Sequence, residues 1–86
     1  MVERVPWMSP IHYEILKHFE EHDIWESPRD LAKNIDYSRR YTAGELQKLH
    51  QIGLFEKEGQ TYRLTDRGRA FLAGDLDADE LPEPED

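Results

Sequence analysis

Residues 35–54 read IDYSRRYTAGELQKLHQIGL, and the fold turns on this stretch. Asp36 and Tyr37 interrupt the apolar pattern before them, Ser38 is a helix-capping residue, and Gly53 is a natural left-handed stop. The reading is a helix over 38–52. At helical spacing Thr42, Leu46, Leu49 and Gly53 share one side, while Arg40, Gly44, Gln47 and Gln51 share another. The first side is predicted to be buried and the second polar and open. A glycine at position 44 costs such a helix about 1 kcal/mol relative to alanine, which points to a close approach there.

Upstream, Ser27-Pro28 opens RDLAKNI, a short helix whose Leu31, Ala32 and Ile35 make a small apolar face. The same signal, Ser9-Pro10, opens IHYEILKHFEEH, in which Ile11, Ile15, Leu16 and Phe19 form one core-facing stripe. Trp25, between these helices, is expected to pack. Downstream, LFEK and TYRLT flank a glycine-containing turn and read as a β-hairpin with Leu54, Tyr62 and Leu64 turned inward. Thr65 then caps DRGRAFLAG, which returns Ala70, Phe71 and Leu72 to the core before Gly74. The fold class is mainly α with a small β-hairpin (α+β), in the order helix-helix-helix-hairpin-helix. That order describes a winged helix-turn-helix over residues 1–74.

The chain has 86 residues, 37% hydrophobic, enough for one small domain with one core. It has no cysteine, so disulfides and thiolate metal sites are excluded. No apolar run exceeds Ala70–Ala73, far short of the roughly 18 residues of a membrane span, so a cytoplasmic protein is expected. The net charge of −8 is unevenly spread. Residues 75–86 (DLDADELPEPED) carry seven acids and no base, and are expected to be a disordered tail. Residues 28–69 hold nine Lys or Arg against six acids, so a basic face is compatible with an acidic molecule. The acidic excess, with seven Arg to four Lys, also suits an intracellular medium of very high salt. In such a medium counterion release contributes little, and affinity rests on close contacts and groove shape.

The strings WMSP (7–10), HDIWESP (22–28), IDYSRRY (35–41) and LTDRGRAFLAGDLD (64–77) together resemble the haloarchaeal phage phi-H repressor-like family of small winged-helix proteins. The resemblance covers nearly the whole chain. It implies a DNA-binding transcriptional regulator with no cofactor.

A recognition helix needs donors at its N-terminal turns, where guanine edges and flanking phosphates are within reach. Arg39 and Arg40 stand there, although cations at a helix start oppose its dipole, so folding gives no reason for them. Ser38 and Tyr41 are placed to touch a phosphate, and Gln47 and Lys48 to reach a base edge and a phosphate from later turns. Arg29 can clamp backbone from the second helix. Lys57, Gln60 and Arg63 can do so from the wing. A single short helix reads few base pairs, so a homodimer on double-stranded DNA is expected, paired through the first helix, its Trp7-Met8 lead-in and the last helix. The alternative is a protein-interaction module whose acidic surface binds a basic partner, favoured if Glu45, Glu56 and Glu58 dominate the side bearing the cations. A second arrangement, in which the acidic tail folds back over the basic face, competes with a plain solvating extension, and composition favours the extension. His18 and His22 have a metal-compatible i, i+4 spacing, but no third ligand accompanies them, so no metal, cofactor or small-molecule ligand is expected. Nothing in the chain has the pattern of a catalytic site, and no enzyme activity is expected.

Overall fold

A computed structural model describes residues 5–84. Helix α1 spans Pro10–Glu21, α2 Pro28–Ile35 and α3 Arg39–Gln51; strands β1 (Phe55–Glu58) and β2 (Thr61–Leu64) follow, then α4 (Asp66–Leu72). A single 3-10 turn, Ala78–Glu80, completes the described chain.

The capping residues act locally as their chemistry dictates. Ser27 Oγ accepts from the Asp30 amide, Ser38 Oγ from Tyr41 and Thr65 Oγ1 from Gly68. At α1 the side-chain cap includes His12, whose Nδ1 accepts from the Ser9 amide at 2.8 Å. Between α2 and α3 the chain reverses through Asp36, which adopts the left-handed conformation at φ 61° and ψ 47°. A short Asx side chain tolerates that region better than most. The resulting turn is only Asp36-Tyr37-Ser38, so α2 and α3 are closely coupled. Gly53 (φ 87°) ends the third helix as its residue type foretold.

The hairpin is antiparallel, with Phe55 opposite Leu64 and Glu58 opposite Thr61. Gly59 (φ 60°) occupies the first position of its two-residue connection, where the twist of the strands calls for a positive φ. Strand alternation turns Phe55, Tyr62 and Leu64 into the core. There they meet Ile11, Ile15 and Phe19 of α1, Leu31 of α2, Leu46 and Leu49 of α3, and Phe71 of α4. Phe19 and Phe55 pack edge to face at 4.9 Å. The apolar stripes read from the sequence thus enclose one core.

Two expectations need correction. Trp25 is 37% exposed. The loop between α1 and α2 runs extended there and Glu26 pairs with Tyr62, its N–H donating to the Tyr62 carbonyl and its carbonyl accepting from the Tyr62 N–H, both at 2.9 Å. The alternation of extended chain carries Glu26 inward and Trp25 outward. The acidic tail is also not free over its described part. Leu81 is buried, Leu76 and Ala78 pack against the core, and Arg67 donates to the Glu80 carbonyl at 2.9 Å. Composition averages over the tail and misses the three apolar side chains that dock it.

Candidate nucleic-acid interface

The N-terminus of α2, the first turns of α3 and the hairpin surround one open cleft, lined by Ser27, Arg29, Asp30, Arg39, Lys57 and Gln60 among others. Each cation comes from a different element. Arg29 lies in the first turn of α2, Arg39 opens α3, and Lys57 stands on β1 with its Nζ 5.4 Å from the centre of the Tyr62 ring. Arg29, Arg39 and Lys57 are exposed, and among the described residues no ion pair joins them to an acid. The positive end of the α2 dipole opens on the same space. An anion placed there meets three cations against one carboxylate, Asp30.

Ser38, Arg40 and Tyr41 stand at the same end of α3 as Arg39, but of that helix only Arg39 and Ala43 line the cleft. Arg40 and Tyr41 are exposed, the Tyr41 ring lying 5.9 Å from that of Tyr37, and the Ser38 hydroxyl is engaged as the cap. Beyond them Gly44 is exposed, and a Cβ built on it would meet nothing within 4 Å. Nothing inside the protein requires a glycine there.

Three expected site residues are committed elsewhere. Gln47 Oε1 accepts from the Tyr62 hydroxyl at 2.8 Å. Lys48 pairs with Glu45 at 3.1 Å, on the side of α3 that faces Trp7 and His12. Arg63 projects from the opposite face of the hairpin and joins Asp23 at 3.2 Å, with its guanidinium 5.9 Å from the Trp25 ring centre. Asp23 also accepts from Arg69 at 2.7 Å. The hydrogen bond from Arg63, with the charges of both arginines, holds the Asp23 carboxyl below the usual carboxylate range.

Glu45, Glu56 and Glu58 stand apart from the cleft. Glu45 is buried beside His12, its Oε1 3.3 Å from His12 Nε2. Glu56 and Glu58 alternate with Lys57 on β1 and so face the other way. Nor does the described part of the tail cover the cleft: Pro82, Glu83 and Pro84 lie against Gln51 and Ile52, at the far end of α3.

Several interacting residues escaped the sequence. Glu26 is a buried acceptor for His18 Nε2 (2.7 Å) and Asn34 Nδ2 (3.3 Å). His18 and His22 have ring centres 4.8 Å apart, and among the described residues no group of three ligand side chains could hold a metal ion. His50 Nδ1–H donates to the Phe55 carbonyl at 2.8 Å. The one available signal was that Gln47 and His50 are three apart, beside the apolar stripe and one turn from each other.

Two closely joined helices, the second bearing cations at its start, followed by a hairpin beside them, define a winged helix-turn-helix protein. The chain belongs to the winged helix-turn-helix phage repressor family, whose pattern it matches over residues 1–84. It is similar to the repressor protein of Halobacterium phage phiH, with 34% identity over 86 residues that span 94% of this chain and 97% of that relative. No solved structure matches it. Among the described residues, no helix is long and apolar enough to cross a membrane.

Proposed function

We propose that the protein is a DNA-binding transcriptional repressor that lays the start of α3 in the major groove and its wing on the flanking backbone. One observation carries this reading: Arg29, Arg39 and Lys57, from three separate elements, converge on one cleft, and among the described residues no acid is paired to any of them. Uncompensated cations gathered this way suit successive phosphates, with Gln60 and the Ser38 hydroxyl as further donors. Arg40 and Tyr41 are exposed in the first turn of α3, the part of the helix from which base edges are read in helix-turn-helix docking. The open surface at Gly44 lets backbone approach backbone. Gln47, Lys48 and Arg63 already hold protein partners and fall outside this contact set.

The family, and the phage relative's being a repressor protein, support repression as the sense of control. No feature of the cleft favours the protein-interaction alternative, since the exposed acids of β1 point away from it. Homodimerisation remains part of the proposal. It would align two such helices on successive turns of the duplex, and sedimentation equilibrium with and without bound DNA tests it.

The direct experiment is retention of genomic DNA fragments by the intact protein over a salt series, followed by footprinting of the fragments retained. The double substitution Arg39→Ala, Arg40→Ala is expected to abolish retention and to leave unfolding stability within about 1 kcal/mol of wild type. Full retention by that variant would overturn the reading.

A further inference from the structure

Two polar side chains of α3, one turn apart, tie that helix to both strands of the wing. His50 holds β1 through the Phe55 carbonyl, and Gln47 holds β2 through the Tyr62 hydroxyl. Tyr62 is in turn fixed from other directions. It is 4% exposed, its backbone N–H and C=O both pair with Glu26, and its ring meets that of His50 at 5.8 Å. Lys57, the wing cation that lines the cleft, lies over the same ring.

A two-stranded hairpin has little stability of its own, so its attitude is set by what it packs against. The wing rests on the apolar core at its base, through Phe55 and Leu64, but nearer its tip the polar Gln47–Tyr62 contact holds it to α3. The oxygen of a half-buried amide engaged this way is directed into the protein, not toward a base.

We propose that Gln47 is a positioning residue for DNA binding. Through the Tyr62 hydroxyl it fixes the wing against α3, and so sets the distance between the phosphates met by Lys57 and those met by Arg39 and Arg29. This rests on the DNA-binding reading above. Gln47 acts through Lys57 and does not touch DNA.

The test is a double-mutant cycle on a genomic duplex retained by the wild-type protein, comparing wild type, Gln47→Leu, Lys57→Ala and the double variant. Loss of one hydrogen bond is expected to weaken binding about three- to tenfold in Gln47→Leu. The dependence of log affinity on log salt should become shallower by about one contact, the same change that Lys57→Ala produces. The double variant should bind within about twofold of Lys57→Ala alone, because effects that run through one group do not add. Tyr62→Phe removes only the hydroxyl and keeps the ring in the core, and it should reproduce Gln47→Leu.

A double variant whose loss is the product of the two single losses would overturn the proposal, by showing that Gln47 meets DNA independently. So would wild-type affinity in both Gln47→Leu and Tyr62→Phe. Failure of the wild-type protein to retain any duplex would remove the DNA-binding reading itself. That result is distinct, since the additive and wild-type outcomes both presuppose binding.

Discussion

Gly44 separates folding from function at a single position. An exposed mid-helix glycine with open space around it gains about 1 kcal/mol of stability when changed to alanine, which the urea midpoint will register. If α3 lies close against a duplex, the same Gly44→Ala variant binds DNA more weakly although it folds more tightly. The sequence exposed this oddity without help. It could not expose His12, a 2% exposed imidazole. Burial lowers its pKa, Lys48 adds to that, and the neighbouring Glu45 opposes it. The sign follows from linkage. The unfolded histidine protonates near 6.5, the folded one only at lower pH, so the unfolded state takes up more protons in between. The His12 contribution to stability is complete above about pH 6.5 and is lost as the pH falls through the folded value. His12→Asn keeps an acceptor for the Ser9 amide, and it should flatten this part of the pH dependence when urea midpoints are compared at about pH 7.5 and 5.5. In the sequence His12 was one of four histidines, and only the packing of Trp7 and Glu45 around it sets it apart.

Within α4, Gly68 has the tightest surroundings of the chain's glycines. A Cβ on Gly68 would clash with the Leu54 carbonyl oxygen and the Leu64 side chain, and a backbone atom cannot swing aside. Gly68→Ala is therefore expected to destabilise the fold by about 2 kcal/mol or more, in contrast to Gly44→Ala. Thermal unfolding of the two variants side by side checks this. Local sequence alone ranks the two glycines alike, since both sit in helices. What separates them is α4 docking on β2, a contact between segments joined through the cap at Thr65. The element boundaries were legible because Ser27, Ser38, Thr65 and Gly53 punctuate the chain by local hydrogen bonding and backbone preference. The direction of Trp25 was not, because it depends on Glu26 pairing with a strand 36 positions later.

The whole molecule places its charge in a way composition could not reveal. The described part of the acidic tail docks by Leu81 near the far end of α3, away from the cleft at the near end. Leu81→Ala is expected to cost about 1.5–3 kcal/mol, as for an apolar side chain taken from exposed to buried, whereas an undocked tail would show no change in urea midpoint. The proposed interface likewise exists only in three dimensions. Arg29, Arg39 and Lys57 are scattered along the chain with ordinary surface charges between them, and two other expected contacts, Lys48 and Arg63, are paired with acids on other sides.

The order of elements, the caps, the apolar faces and the family were written in the sequence itself, because they depend on spacing and on residues adjacent in the chain. Which cations stand together, which are neutralised, and where the tail and Trp25 come to rest were decided by tertiary structure. Those outcomes depend on which faces of separate helices and strands meet, and a linear pattern carries no such information.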